Sequence, residues 1–125
     1  MMPRPKADPG SRGRWAESVA RDFLEAEGLE PLCENYRCRR GEIDLIMRDG
    51  ETVVFVEVRY RKADQFGSGA ETVTLVKQRR VIATARHYLQ HTADTEIYPC
   101  RFDVVAISSD VRAHKVEWIR DAFDA

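Results

Sequence analysis

Apolar residues recur with helical spacing from Trp15 to Glu27. Trp15, Val19, Phe23 and Ala26 fall at i, i+4, i+8 and i+11, and Ala16, Ala20 and Leu24 widen the stripe. Gly28 is placed to end this helix as a C-terminal cap. A strand is predicted over Leu29–Cys38. Ile43–Met47 and Thr52–Arg61 read as two strands joined at Asp49-Gly50, a strong hairpin dipeptide. Asp64–Gly69 is a polar loop with glycine. A second amphipathic helix is predicted over about Val76–Gln90, with Val81, Ile82, Ala85, Tyr88 and Leu89 on its buried face. Arg101–Ser108 reads as a strand, and Val116–Ile119 as a last edge strand before a short piece ending near Phe123.

The order is thus α-β-β-β-α-β-β. Hairpin strands run antiparallel, and a strand reached through a helix tends to lie parallel. A mixed, twisted sheet flanked by helices is expected. No linker or internal repeat divides the chain. Residues 1–13, rich in Pro, Gly and Arg, read as a flexible arm, and 14–125 as a single domain.

Composition narrows the class. The chain has 125 residues, 43% of them hydrophobic and 33% charged, which fits one soluble globular domain. Purely apolar runs reach only four residues, as in Val53–Val56, so no membrane span is expected, and residues 1–14 lack the apolar stretch of a secretory signal. Cys33, Cys38 and Cys100 are too few for a disulfide scaffold and lack zinc spacing. Reduced thiols in a cytoplasmic protein are the expectation.

The net charge of −1 hides segregation. Arg37, Arg39, Arg40, Arg48, Arg59, Arg61 and Lys62 outnumber five acids between positions 37 and 62. Positions 77–91 carry four basic residues and no acid. Local basic patches of this kind suit a nucleic-acid surface, although solvated charged faces look the same in sequence.

The informative stretch is Gly41-Glu42-Ile43-Asp44-Leu45-Ile46 and, after the turn, Phe55-Val56-Glu57-Val58-Arg59-Tyr60-Arg61. A two-residue loop at Asp49-Gly50 would pair Asp44 with Phe55 and Glu42 with Glu57. Alternation then puts Glu42, Asp44, Ile46, Val53, Phe55, Glu57 and Arg59 on one face, and Ile43, Leu45, Val54, Val56 and Val58 on the other. Apolar residues on both faces near the turn imply burial on both sides there. Three acids beside that core repel one another and lose hydration, so a cation is needed. Either Arg59 bridges them, or Mg²⁺ is held by one or two of the carboxylates with waters or substrate phosphates. A salt-bridged patch of Glu42, Asp44, Glu57, Arg59 and Arg61 is the plain alternative.

Together with Lys77-Gln78 and Arg101-Phe102-Asp103-Val104-Val105, these motifs resemble the YraN family of uncharacterised bacterial proteins, from about Gly13 to Phe123. That family is similar to archaeal Holliday-junction resolvases and to PD-(D/E)xK nucleases of the restriction-endonuclease-like fold. The resemblance implies a divalent-metal-dependent DNA endonuclease or nuclease-like protein, with branched DNA as a candidate substrate. Carried over by position, Asp44 and Glu57 would hold Mg²⁺ or Mn²⁺, and Glu17 would match a helix-borne acid. Glu42 would be an accessory ligand or orient water. Arg59 stands where the nucleases carry lysine. Arginine stays protonated and cannot serve as a base, so Arg59 would orient water or stabilise charge, and the base would be a metal-bound hydroxide or another lysine, Lys62 or Lys77.

Arg37, Arg39, Arg40, Arg61, Lys62, Lys77 and Arg80 are the candidate DNA-backbone contacts. A non-catalytic nucleic-acid binder and a protein-interaction domain of the same fold remain open readings. Resolvase-like proteins are often dimers, and the Val116–Ile119 edge is a candidate homodimer surface. His87 and His91 have i, i+4 metal spacing but no third ligand, and read as helix surface. Gly67-Ser68-Gly69 lacks the ending of a phosphate loop. Tyr36, Tyr60 and Phe66 fit packing better than base stacking, and Asp103 fits a pairing with a nearby arginine.

Overall fold

The computed structural model describes residues 9–62, 73–92, 98–109 and 114–125. Its elements follow the expected order: α1 (Pro9–Ala26), β1 (Glu30–Cys38), β2 (Gly41–Asp49), β3 (Thr52–Lys62), α2 (Leu75–His91), β4 (Cys100–Ser109) and β5 (His114–Phe123). The first helix begins six residues before Trp15, so residues 9–13 are helical rather than part of an arm. Residues 1–8, the Asp64–Gly69 loop and Phe66 lie outside the described residues. Gly28 caps α1 with φ 101, and Leu29 N–H donates to the Leu24 carbonyl at 3.0 Å. Thr74 caps α2, its side chain accepting from Lys77 N–H at 3.2 Å.

The five strands form one sheet in the order β1-β2-β3-β4-β5. Only the β3–β4 pair is parallel, because α2 carries the chain across between them. Each face of the sheet has its own core. Ala16, Ala20 and Leu24 of α1 pack on Leu45, Met47, Val54, Val56, Val105 and Ile107. Val81, Ala85 and Tyr88 of α2 pack on Ile43, Ile46, Val53, Phe55, Phe102 and Val104. The hairpin is buried on both sides near its turn, as its pattern requires.

Two details depart from the sequence reading. The hairpin turns at Gly50-Glu51, with Asp49 paired to Thr52 and Ile46 to Phe55. Gly50 has φ 62 and occupies the first corner, as in a II′ turn, rather than the second corner expected of Asp49-Gly50. The register therefore shifts by two residues, which preserves the faces. Asp44 loses Phe55 as its partner, and one step beyond the last ladder pair, Leu45–Val56, stand Asp44 and Glu57.

The second departure is Ile43, which joins Ile46 in the α2-side core instead of Leu45 on the α1 side. Cys33 and Tyr36 of β1 are likewise three residues apart and pack against that same core. Strict alternation would separate both pairs. The interruption lies at Asn35, in the left-handed region with φ 53, between the pairs Glu34–Leu45 and Tyr36–Ile43. The position facing Asn35 across the strands is Asp44.

Candidate active site

The β2–β3 ladder ends at Leu45–Val56, while β3 continues beside β4 to Lys62. Beyond that point β3 has backbone N–H groups that β2 does not meet. Asp44 fills the first opening: its Oδ2 accepts from Val58 N–H at 2.8 Å. A side chain thus replaces a missing ladder carbonyl, and the carboxylate is fixed between the strands.

Four elements bring charged groups to this opening. Glu17 reaches it from α1, beside Asp44 and Asn35. Burial, with the Asp44 charge adding to it, pushes Glu17 up to about 7. Burial also raises Asp44, against the pull of the Val58 N–H and Lys77.

Glu57 comes from β3 and is only 3% exposed. Burial and then the Asp44 charge push it up to about 7, while Lys77 and Arg59 draw it down. Lys77 projects from the first turn of α2, its Nζ 3.0 Å from Glu57 Oε1. The other oxygen, Oε2, is buried with no hydrogen-bond partner. A bare carboxylate oxygen in a buried, acid-rich opening is costly unless protonated or given a cation.

Among the described residues, no three His, Cys, Asp or Glu side chains are grouped closely enough to cage a metal by themselves. The donor set still fits Mg²⁺ or Mn²⁺, whose sites often use one or two carboxylates and complete the shell with water and phosphate. Asp44 and Glu57 would be the ligands, through oxygens not already held by Val58 and Lys77.

The remaining candidates are placed unequally. Glu42 sits at the rim, exposed, its Oε2 2.7 Å from Arg37 Nε, close enough to influence Glu17 and Asp44 through its charge. Arg37 is thereby neutralised in part. Arg39, Arg40 and Arg80 are exposed, Arg61 is half-buried, and the Lys62 side chain lies outside the described residues. Arg21, one helical turn after Glu17, pairs with Glu34 at 2.9 Å and Glu25 at 3.5 Å. Thr84 is fully buried, its hydroxyl donating to the Arg80 carbonyl.

Tyr36 packs on Tyr88 and His87, and Tyr60 on Trp15, so both serve packing. His87 and His91 stack at 4.0 Å, and their Nδ1 atoms meet the Tyr36 hydroxyl and the His87 carbonyl respectively. Asp103 accepts from Arg101 Nε at 3.1 Å, as its sequence neighbourhood suggests.

Sequence reasoning missed Asn35 as a support for Glu17 and named Lys77 only as a phosphate contact or substitute base. A signal for Lys77 was present: it lies four, seven and eleven residues before Val81, Thr84 and Tyr88, on the buried stripe of its helix.

Comparison with known proteins places this geometry in a group. A model of the uncharacterised protein family UPF0102 matches residues 16–107. A UPF0102 protein of Nitrosococcus oceani is 51% identical over 112 residues, covering 90% of each chain. One from Nitrosomonas europaea is 55% identical over 116 residues, 92% of this chain and 95% of its own. A Pseudomonas savastanoi relative is 43% identical over 97% of this chain and 99% of its own. Among the described residues, no helix is long and apolar enough to cross a membrane.

Proposed function

The chain belongs to the uncharacterised protein family UPF0102, also known as YraN, and within it we propose a divalent-metal-dependent nuclease of the restriction-endonuclease-like type acting on DNA. The observation that carries this reading is the buried, unpartnered Glu57 Oε2 beside Asp44, with a lysine ammonium on the other oxygen. Such an arrangement suits a site completed by a cation and a phosphate.

Asp44 and Glu57 would hold Mg²⁺ or Mn²⁺. The metal supplies Lewis-acid polarisation of the scissile phosphate and lowers the pKa of bound water. Lys77 and Arg59 bring positive charge to the same carboxylate and would stabilise charge growing on the phosphate. Lys77 takes the place near Glu57 that the nuclease pattern gives to the residue at position 59. Glu17, at about 7, is matched to accept or return a proton at neutral pH. Glu42 orients groups at the rim. Arg39, Arg40, Arg61, Lys62 and Arg80 supply backbone contacts.

A panel of duplex, single-stranded, flap and four-way-junction DNA, incubated with Mg²⁺ or Mn²⁺, tests this directly. Cleavage of one form that Asp44→Ala and Glu57→Ala both abolish is expected. Tight, salt-sensitive binding without cleavage would favour a non-catalytic nucleic-acid binder. No binding at low salt would leave a protein-interaction domain.

A further inference from the structure

A second cationic feature lies on α2, towards the end opposite Lys77. A cleft of about 210 Å³ is lined by Arg40, from the turn between β1 and β2, and by Ala83, Arg86, His87 and Gln90 of the helix. Its polar walls are rich in donors: two guanidiniums, an imidazole and an amide. The Tyr36 hydroxyl is hydrogen-bonded to His87 Nδ1. With that hydroxyl donating, the ring proton of His87 stays on Nε2. His91 stacks on the same ring at 4.0 Å and bonds the His87 carbonyl at 2.8 Å, so the imidazole is braced.

The charge balance leaves this cleft cationic. Arg21, Arg37 and Arg48 are paired with Glu34, Glu42 and Glu30, and Arg101 and Arg120 with Asp49. Among the described residues, neither Arg40 nor Arg86 makes an ion pair, and no carboxylate lines the cleft. Two unneutralised guanidinium forks at one concavity match the tetrahedral oxygens of a phosphate. Arg86 follows Lys77 by nine residues, about 14 Å along the helix axis and half a turn around it.

We propose that Arg40, Arg86, His87 and Gln90 form a phosphodiester-backbone subsite, set around α2 from the Glu57–Lys77 pair. The inference rests on the nucleic-acid reading above. A contact of this class positions a strand without reading its sequence.

The test is DNA-binding affinity, measured without metal across a salt series, for the wild type, Arg40→Ala/Arg86→Ala and Arg40→Lys/Arg86→Lys. Losing one phosphate contact lowers the slope of log K against log salt by about one and costs roughly tenfold in affinity near 0.1 M salt. The alanine pair is expected to show both effects with an unchanged melting temperature, and the lysine pair to keep the slope. An alanine pair with wild-type slope and affinity overturns the subsite alone, since Mg²⁺-dependent stabilisation reports separately on Asp44 and Glu57. A wild type that binds no nucleic acid overturns the subsite together with its parent reading. Inorganic phosphate or a mononucleotide bound as tightly as an oligonucleotide would make the cleft a free-phosphate pocket and overturn the strand assignment.

Discussion

Lys77 Nζ stands 3.0 Å from Glu57 Oε1, although the two residues are separated by 20 positions and sit on different elements. The lysine is 39% exposed and the glutamate side chain 4%, so the cation is the accessible partner and the anion the buried one. Removing the lysine leaves a buried carboxylate with less compensation. Lys77→Met is expected to destabilise the metal-free protein by about 1–3 kcal/mol at pH 8, and by less at pH 5, where Glu57 carries a proton. Chemical denaturation at the two pH values checks this. Mg²⁺ should then stabilise the variant more than the wild type, because the ion replaces the missing charge.

The raised carboxyls set the pH dependence of the apo protein. Glu17 and Glu57 stand near 7 in the folded state against 4.5 ordinarily. Between those values the folded chain keeps protons that the unfolded chain has released. Their stabilising effect is therefore full below about 4.5 and is lost as pH rises through about 7. For buried Glu57 a shift of this size corresponds to roughly 3 kcal/mol. Urea titrations from pH 4.5 to 8 should show declining stability, with a shallower decline in Glu57→Gln. A curve that rises over this window would contradict the shifts.

Metal binding should follow the same protons in reverse. A divalent ion on Asp44 and Glu57 must displace them, so its affinity increases with pH. Mg²⁺ or Mn²⁺ is expected to raise the melting temperature more at pH 8 than at pH 6. Saturation at a hundredfold excess over Kd corresponds to about 2.7 kcal/mol. Asp44→Asn and Glu57→Gln should remove the increment, and calorimetry of the wild type should register proton release.

Asp103 offers a control that touches stability alone. It is fully buried and accepts from Arg101 Nε at 3.1 Å, Trp118 Nε1 at 2.9 Å and Asp121 N–H at 2.9 Å. It fills the irregularity where β5 departs from β4 between Phe102 and Val104. Asp103→Ala leaves these donors without their acceptor and should cost about 3–5 kcal/mol. The fraction that remains folded should show the full metal-induced shift in melting temperature.

Gly41 has φ 150, and a Cβ there would meet Thr84 Oγ1 at 3.2 Å and the Arg80 carbonyl at 3.8 Å. The start of β2 lies against α2 at this point. Gly41→Ala is expected to cost about 1–3 kcal/mol through backbone strain and this contact. A melting curve on the single variant suffices to check it.

The order of elements was legible because each has a local period, and because crossing through α2 favours a parallel β3–β4 pair. Asp44 and Glu57 were legible as neighbours for a related reason: either hairpin register leaves them on the same side of the turn. The register itself was not, since whether Gly50 takes the first or second corner depends on the closing ladder. Nor was the break at Asn35, where one left-handed residue moves Ile43 to the other core. Lys77 was half legible. Its place on the buried stripe is periodic, but only tertiary packing brings that helix end to Glu57.

The hydrogen bond from Val58 N–H to Asp44 has a consequence for reading relatives of this protein. A strand that splays from its neighbour needs an acceptor at this place whether or not chemistry occurs there. A relative with no chemistry at this place would still be under pressure to keep Asp or Asn at position 44, for architecture alone. Glu57 meets no such backbone demand: one oxygen pairs with Lys77 and the other satisfies nothing in the fold. Loss at position 57, with 44 retained, would mark a relative that kept the strand architecture without the buried carboxylate.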